Sequence, residues 1–176
     1  VAHAESDAPP SQPPSQSSAP SWAPSLTMET DSRGRALARF SVDAPRETDI
    51  TPLLLSVSRV LRAAFAANID AGGHPPFADL SPRTVRRKML KGYPLQPLVA
   101  TRLLRNSLAR RGGGGNVTYV SAKGTLVVGS SLAYAAVHQT GGGRGIPARP
   151  YLTLSEGDWG RIGALIAEYA AAHPPE

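Results

Sequence analysis

From Leu80 to Ser155 the chain carries twelve lysines and arginines and no aspartate or glutamate. A stretch this long with one sign of charge cannot neutralise itself on folding. Its counter-charges must come from flanking segments, from a neighbouring copy or from a bound polyanion. The flanks do have the opposite sign. Residues 1–79 hold six arginines against nine acids, and residues 156–176 hold one arginine against four acids. The net charge is +6, but the arrangement predicts a basic surface bounded by acidic ones. It suits nucleic acid or an acidic protein partner. A solvated basic face, balanced by acids of the same or an adjacent subunit, is the plainer alternative.

Glycine and proline, 17 of each, are too abundant for one uniformly compact globule. Residues 1–25 alone contain six prolines and seven serines. With so few aliphatic side chains this segment cannot offset the entropy of ordering it, so an extended arm is expected. Trp22 is its one large apolar residue and a candidate anchor on a partner. The absence of cysteine excludes disulfide scaffolds, thiol nucleophiles and thiolate-held metals. Val1–Asp7 has neither a basic nor an apolar region, so no secretory leader is expected. No apolar run reads as reaching the roughly 18 residues of a membrane span, so no membrane partner is expected either.

Residues 26–176 read as a single domain. LTMET and RALARFSV flank the turn-like DSRG and suggest a hairpin, or a strand followed by a loop. Leu53, Val57, Val60, Leu61 and Ala64 fall on one helical stripe with Arg59 and Arg62 off it, which predicts a helix over Thr51–Asn68. Asp49 or Thr51 can cap it, and Pro52 suits its first turn. Ser81-Pro82 opens a second, short helix. LVATRLLRNSLARR has helix-forming composition, with Leu98, Leu104 and Leu108 as its buried side. Gly112–Gly115 reads as a hinge or loop tip. NVTYVSA and TLVVGS are β-rich and join through Lys123-Gly124 as a hairpin. A turn or two of helix over Leu132–His138 follows. Ser155 and Asp158 have capping-box spacing, ahead of a terminal helix whose stripe is Trp159, Ile162, Leu165, Ile166 and Tyr169. The fold class is α+β: a small antiparallel sheet packed with helices, plus the Pro/Ser-rich N-terminal arm.

No catalytic constellation is legible. His3, His74, His138 and His173 are scattered, and none has a second histidine or carboxylate at metal-ligand spacing, so no metal or cofactor is expected. His138, in YAAVHQTGG, reads as a partly buried hydrogen-bonding residue. No GxSxG elbow is present. GGGRG at 141–145 and GGGG at 112–115 do not continue into G-K-[ST] and a helix, which argues against a phosphate loop. The reading is of a protein that is not an enzyme.

The order of the pieces resembles a known family. DITPLLLSVSRVLRAAF, PPFADLSPRTVRRK, LLRNSL and YAAVHQTGGGRGIPARPYLTLSEGDWGRI are similar to the phage virion morphogenesis family, the tail-completion proteins of Mu-like and other long-tailed bacteriophages. The likeness runs from about Asp49 to Tyr169. Its most specific part is YA-x-x-HQ-x-GG followed by IPARPYL and Asp158. Members carry a tryptophan where this chain has Phe77, and commonly a glycine where it has Arg102.

The resemblance implies a structural protein of the virion, at the neck or tail end, assembled in the host cytoplasm. The implied partners are further copies of itself in a ring (a hexamer is the expectation), the tail terminator or tail tube, and the head–tail connector. The expected assembly surface comprises Trp22, Gly141, Gly142, Gly143, Arg144, Pro147, Arg149, Pro150 and Tyr151. The two prolines should hold IPARPY extended and aim Arg149 at a neighbour's carboxylate; pairing of Arg149 with Asp158 of its own subunit is the alternative. Tyr134 and Tyr151 are expected to close the core over the sheet in preference to touching a partner. Arg83, Arg86, Arg87, Lys88, Arg110 and Arg111 are the residues expected to face DNA, non-specifically in a neck protein. They would do so more strongly if residues 80–155 are instead a basic nucleic-acid-binding module. An assembly chaperone that leaves before the virion matures is a third reading.

Overall fold

The computed structural model describes residues 21–143 and 145–174. Two hairpins and five helices follow one another along the chain. Strands β1 (Pro24–Thr30) and β2 (Ala36–Val42) turn through Asp31–Gly34, where the Asp31 carboxylate accepts the backbone N–H groups of Arg33 and Arg35. Helices α1 (Thr51–Asp70), α2 (Pro82–Leu90) and α3 (Leu103–Ala109) come next, then the hairpin of β3 (Asn116–Val120) and β4 (Leu126–Ser130). The short α4 (Ala135–Thr140) and the terminal α5 (Glu156–Ala172) complete the chain. The sheet is antiparallel throughout, in the order β1-β2-β4-β3. The α+β reading and both hairpins are therefore present as expected from composition.

Pairing of β2 with β4 joins the two hairpins, with Ala38 opposite Val128 and Phe40 opposite Leu126. Side chains alternate across a strand, so Ala36, Ala38, Phe40, Leu126 and Val128 share the face that meets α1. Gly129 sits where a Cβ would lie 2.2 Å from the Ala36 carbonyl oxygen; only glycine allows β2 and β4 to approach there. On the other face, Arg39 and Tyr119 lie opposite Val127 from either side.

Helix α1 is the central pillar. Leu54, Val57, Leu61, Phe65 and Ile69 are fully buried, and the helix packs against the sheet, α3 and α5. It runs two residues beyond the predicted end. Ile50 occupies its N-cap, and the Asp49 carboxylate accepts the Thr51 N–H instead of capping directly. By length and mean hydropathy (1.2 over 18 residues) α1 passes as a membrane span, contrary to the reading that no run is apolar enough; 56% of that window is buried inside the fold. The apolar character is that of a core helix.

Three local expectations need correction. The 98–111 segment is helical only over Leu103–Ala109, because Leu98 and Arg102 both hold positive φ (62° and 61°). Trp159 is not in the core stripe of α5: Ile162 and Ile166 are buried while Trp159 is 37% exposed. Trp22, expected to reach a partner, packs on its own domain. Its ring meets Tyr169 edge-on at 6.3 Å, and its backbone N–H donates to the Asp43 carbonyl. The arm boundary placed at residue 25 falls inside β1.

Arg102 stands in the left-handed region at the position where members of the resembled family carry glycine. A non-glycine residue there costs roughly 1–2 kcal/mol, partly offset by glycine's larger unfolded-state entropy. Arg102→Gly is expected to stabilise the domain by about 0.5–1 kcal/mol in urea denaturation; no gain would show that the arginine side chain repays the strain.

Candidate functional site

The segment around IPARPY is held by side chains that the motif reading passed over. Gln139, the last but one residue of α4, accepts the backbone N–H groups of Tyr151 and Leu152 through Oε1 at 3.0 and 3.1 Å. From α1, Asn68 donates to the Tyr151 carbonyl and the Thr153 hydroxyl. The Arg149 backbone N–H donates to the His138 carbonyl, and the buried Tyr151 hydroxyl donates to the Ala135 carbonyl. An extended segment flanked by prolines has no strand beside it, so its orphan backbone groups need side-chain partners. Gln139 lies inside the HQ dipeptide, which was the available signal; nothing in sequence ties Asn68 to a segment more than eighty residues away.

Gly141 permits the sharp return. It has φ +81°, and a Cβ there would lie 3.0 Å from the Ala148 nitrogen. Gly142 N–H then donates to the Ile146 carbonyl and closes the loop. Among the residues expected to form the assembly surface, Gly142, Gly143, Pro147 and Pro150 are exposed. Arg144 lies outside the described residues. Tyr151 is fully buried and Arg149 is 6% exposed, so neither is a projecting contact. Of the two tyrosines read as closing the core, Tyr151 does and Tyr134 remains 40% exposed.

Arg149 is an internal strut. Its Nε donates to the Ala78 carbonyl and one Nη to the Asp79 carbonyl, both at 2.8 Å. The expected alternative of pairing with Asp158 is not realised either. Asp158 completes the capping box with Ser155 and pairs with Arg161. Lys88 was expected to face DNA, but it is 7% exposed and donates through Nζ to the Gln96 and Val99 carbonyls, each at 2.6 Å. Gln96 in turn donates to the Ile69 and Asp70 carbonyls at the end of α1. Arg83, Arg86, Arg87, Arg110 and Arg111 are exposed, as a solvent-facing basic set requires.

These elements enclose a cleft of about 860 Å³ between α2, the start of α3 and the loop after α4. Its walls are largely apolar, with Leu98, Leu103, Leu104, Ile146 and Pro147; Lys88, Arg149 and His138 line its interior. Burial lowers the proton affinity of all three, and the Arg149 charge adds to the effect on Lys88 and His138. His138 Nδ1 is buried and has no hydrogen-bond partner among the described residues. Three His, Asp or Glu side chains do not gather anywhere among the described residues in a way that could hold a metal. Asp79 lies on the same wall, so the cleft combines two buried cations held by carbonyls with a single acidic side chain, and its charge favours an anion.

The chain belongs to the phage virion morphogenesis family, which it matches over residues 31–170, from the β1–β2 turn into the last turns of α5. The match begins further toward the N-terminus than the motifs suggested and takes in β2. The chain is also 34% identical over 124 residues to the Mu-like prophage FluMu G protein 2 of Haemophilus influenzae, covering 67% of this chain and 76% of that protein. No solved structure matches.

Two outcomes follow from the cleft. Arg149→Ala leaves two carbonyls without partners, at about 1–3 kcal/mol each when buried. It should therefore destabilise the isolated monomer by about 2–4 kcal/mol in chemical denaturation, and an unchanged midpoint would show the guanidinium to be dispensable. His138 titrates below its ordinary value of 6.5 in the folded chain, so the unfolded chain takes up the proton first. Stability is then full above pH 6.5 and is lost as pH falls through the folded value. His138→Gln should remove that acid-side loss when stabilities at neutral and mildly acid pH are compared; an equal loss in both proteins would place the sensitivity elsewhere.

Proposed function

We propose that this virion morphogenesis protein completes the phage tail at the neck and helps join it to the head, acting through assembly into a ring and not by catalysis. Family membership supports the virion role, and the electrostatics supports assembly. Among the described residues of the carboxylate-free block, Arg105 alone pairs with a carboxylate of its own subunit, Asp70. Lys88 and Arg149 are taken up by carbonyls, and the exposed arginines are left for another molecule. Alternating basic and acidic surfaces give registration between subunits and between layers. On this reading the protein is a homo-oligomer, a hexamer by expectation, in contact with the tail terminator or tube and with the connector.

The basic arginines of α2 and of the turn after α3 also favour weak, sequence-blind contact with phage DNA. A dedicated nucleic-acid-binding module would keep useful affinity for short duplexes at physiological salt, whereas a neck protein should lose it there. The direct test is a phage lacking this protein. Filled heads and finished tails should accumulate unjoined, and mass spectrometry of wild-type particles should detect the chain. Joined, infectious particles without it would overturn the reading; a protein required for joining but absent from particles would make it a chaperone.

A further inference from the structure

Two surfaces of the molecule have no partner among the described residues of one copy, and their chemistries are complementary. The first is the cleft. Leu103, on its wall, is 53% exposed, and Ile146 and Tyr134 are open beside it. Lys88 and Arg149 line the same space more than nine-tenths buried, with no carboxylate at ion-pair distance among the described residues. Arg87 and Arg102 add exposed positive charge at its rim. Asp79, also on the cleft wall, offsets the Arg149 charge without forming an ion pair, so positive charge stays in excess there, and an acid brought in with apolar surface would relieve it.

The second surface is the outer face of α5. Glu156, Trp159, Gly160 and Gly163 follow helical spacing and are exposed together. Glycine inside a helix weakens it, yet among the described residues nothing outside the helix's own backbone comes within 4 Å of where a Cβ would stand at Gly160 or Gly163. Their bareness serves no internal packing and leaves room for another surface to approach closely. Trp159 supplies a large apolar side chain and Glu156 a negative charge, on a segment whose net charge is opposite to that of the cleft.

Helices α3 and α5 both pack on α1 and have no substantial contact with each other, so the two surfaces cannot satisfy one another within a copy. Resting on the ring reading above, we propose that the α5 face of one copy, led by Trp159 and Glu156, docks into the α2–α3 cleft of the next. Such a contact joins two different patches, and repeated head to tail it closes into a ring if the rotation permits.

The test uses full-length protein and light scattering after size exclusion. Wild type should run as a ring. Trp159→Ala, Gly163→Gln and Leu103→Asp should each run as monomers, with melting temperatures no lower than wild type by more than a few degrees. Gly163→Gln adds helix propensity on open surface, so its failure to assemble cannot be blamed on unfolding. An equimolar mixture of Trp159→Ala with Leu103→Asp should give a dimer and stop there, because the pair retains one competent cleft and one competent α5 face. Rings persisting in Gly163→Gln or Leu103→Asp, or a mixture that stays monomeric, would overturn the docking assignment while leaving ring assembly intact. A wild type that remains monomeric at every concentration would instead overturn the ring reading, and this inference with it.

Discussion

Burial of α1 against the β2–β4 seam is the interaction on which the remaining structure depends. Leu54, Val57, Leu61, Phe65 and Ile69 are fully buried, and at about 1.5–3 kcal/mol for each such side chain their transfer from water contributes on the order of 10 kcal/mol. The hairpins are separated in sequence by three helices, and pairing of β2 with β4 brings them together under α1. Gly129 is what lets the two central strands close to that distance. Once α1 is seated, α3 and α5 find their places along it, and its last turn becomes a platform for Gln96 and for the segment after α4.

From that platform the polar network explains the most specific stretch of the sequence. Asn68 reaches from α1 and Gln139 from α4, and between them they hold the backbone of Tyr151–Thr153 in place of a neighbouring strand. Each buried backbone group so paired avoids a penalty of roughly 1–3 kcal/mol. The proline-flanked segment is therefore stiff because it is clamped as well as because proline restricts φ. In this molecule it forms the wall of a cleft, with Arg149 turned inward to Ala78 and Asp79.

The charge arrangement acquires a concrete form in that cleft. Arg105 finds Asp70 across the boundary between the acidic and basic blocks. Lys88 and Arg149 donate to backbone carbonyls, and among the described residues of the basic block no cation other than Arg105 pairs with a carboxylate. A molecule built this way keeps an electrostatic demand that a neighbour can meet. It belongs to the phage virion morphogenesis family.

Local chemistry determined most of the elements directly. The apolar stripe of α1, the capping serines at Ser81 and Ser155, the two hairpin turns and the carboxylate-free block were legible because each depends on residues close together in the chain. The family was legible because its motifs keep their order. What tertiary structure alone decided is the direction in which long side chains point. Arg149 and Lys88 have the composition of surface or interface residues, but backbone carbonyls outside their own elements draw them inward. Trp159 satisfies the spacing of a core stripe, but α5 meets α1 through Ile162 and Ile166 and turns the indole outward. Arg102 reads as helical until the backbone of the α2–α3 connection forces it to a left-handed conformation. Periodicity assigns a residue to a helix or strand, whereas its burial depends on which distant segment supplies the opposing surface.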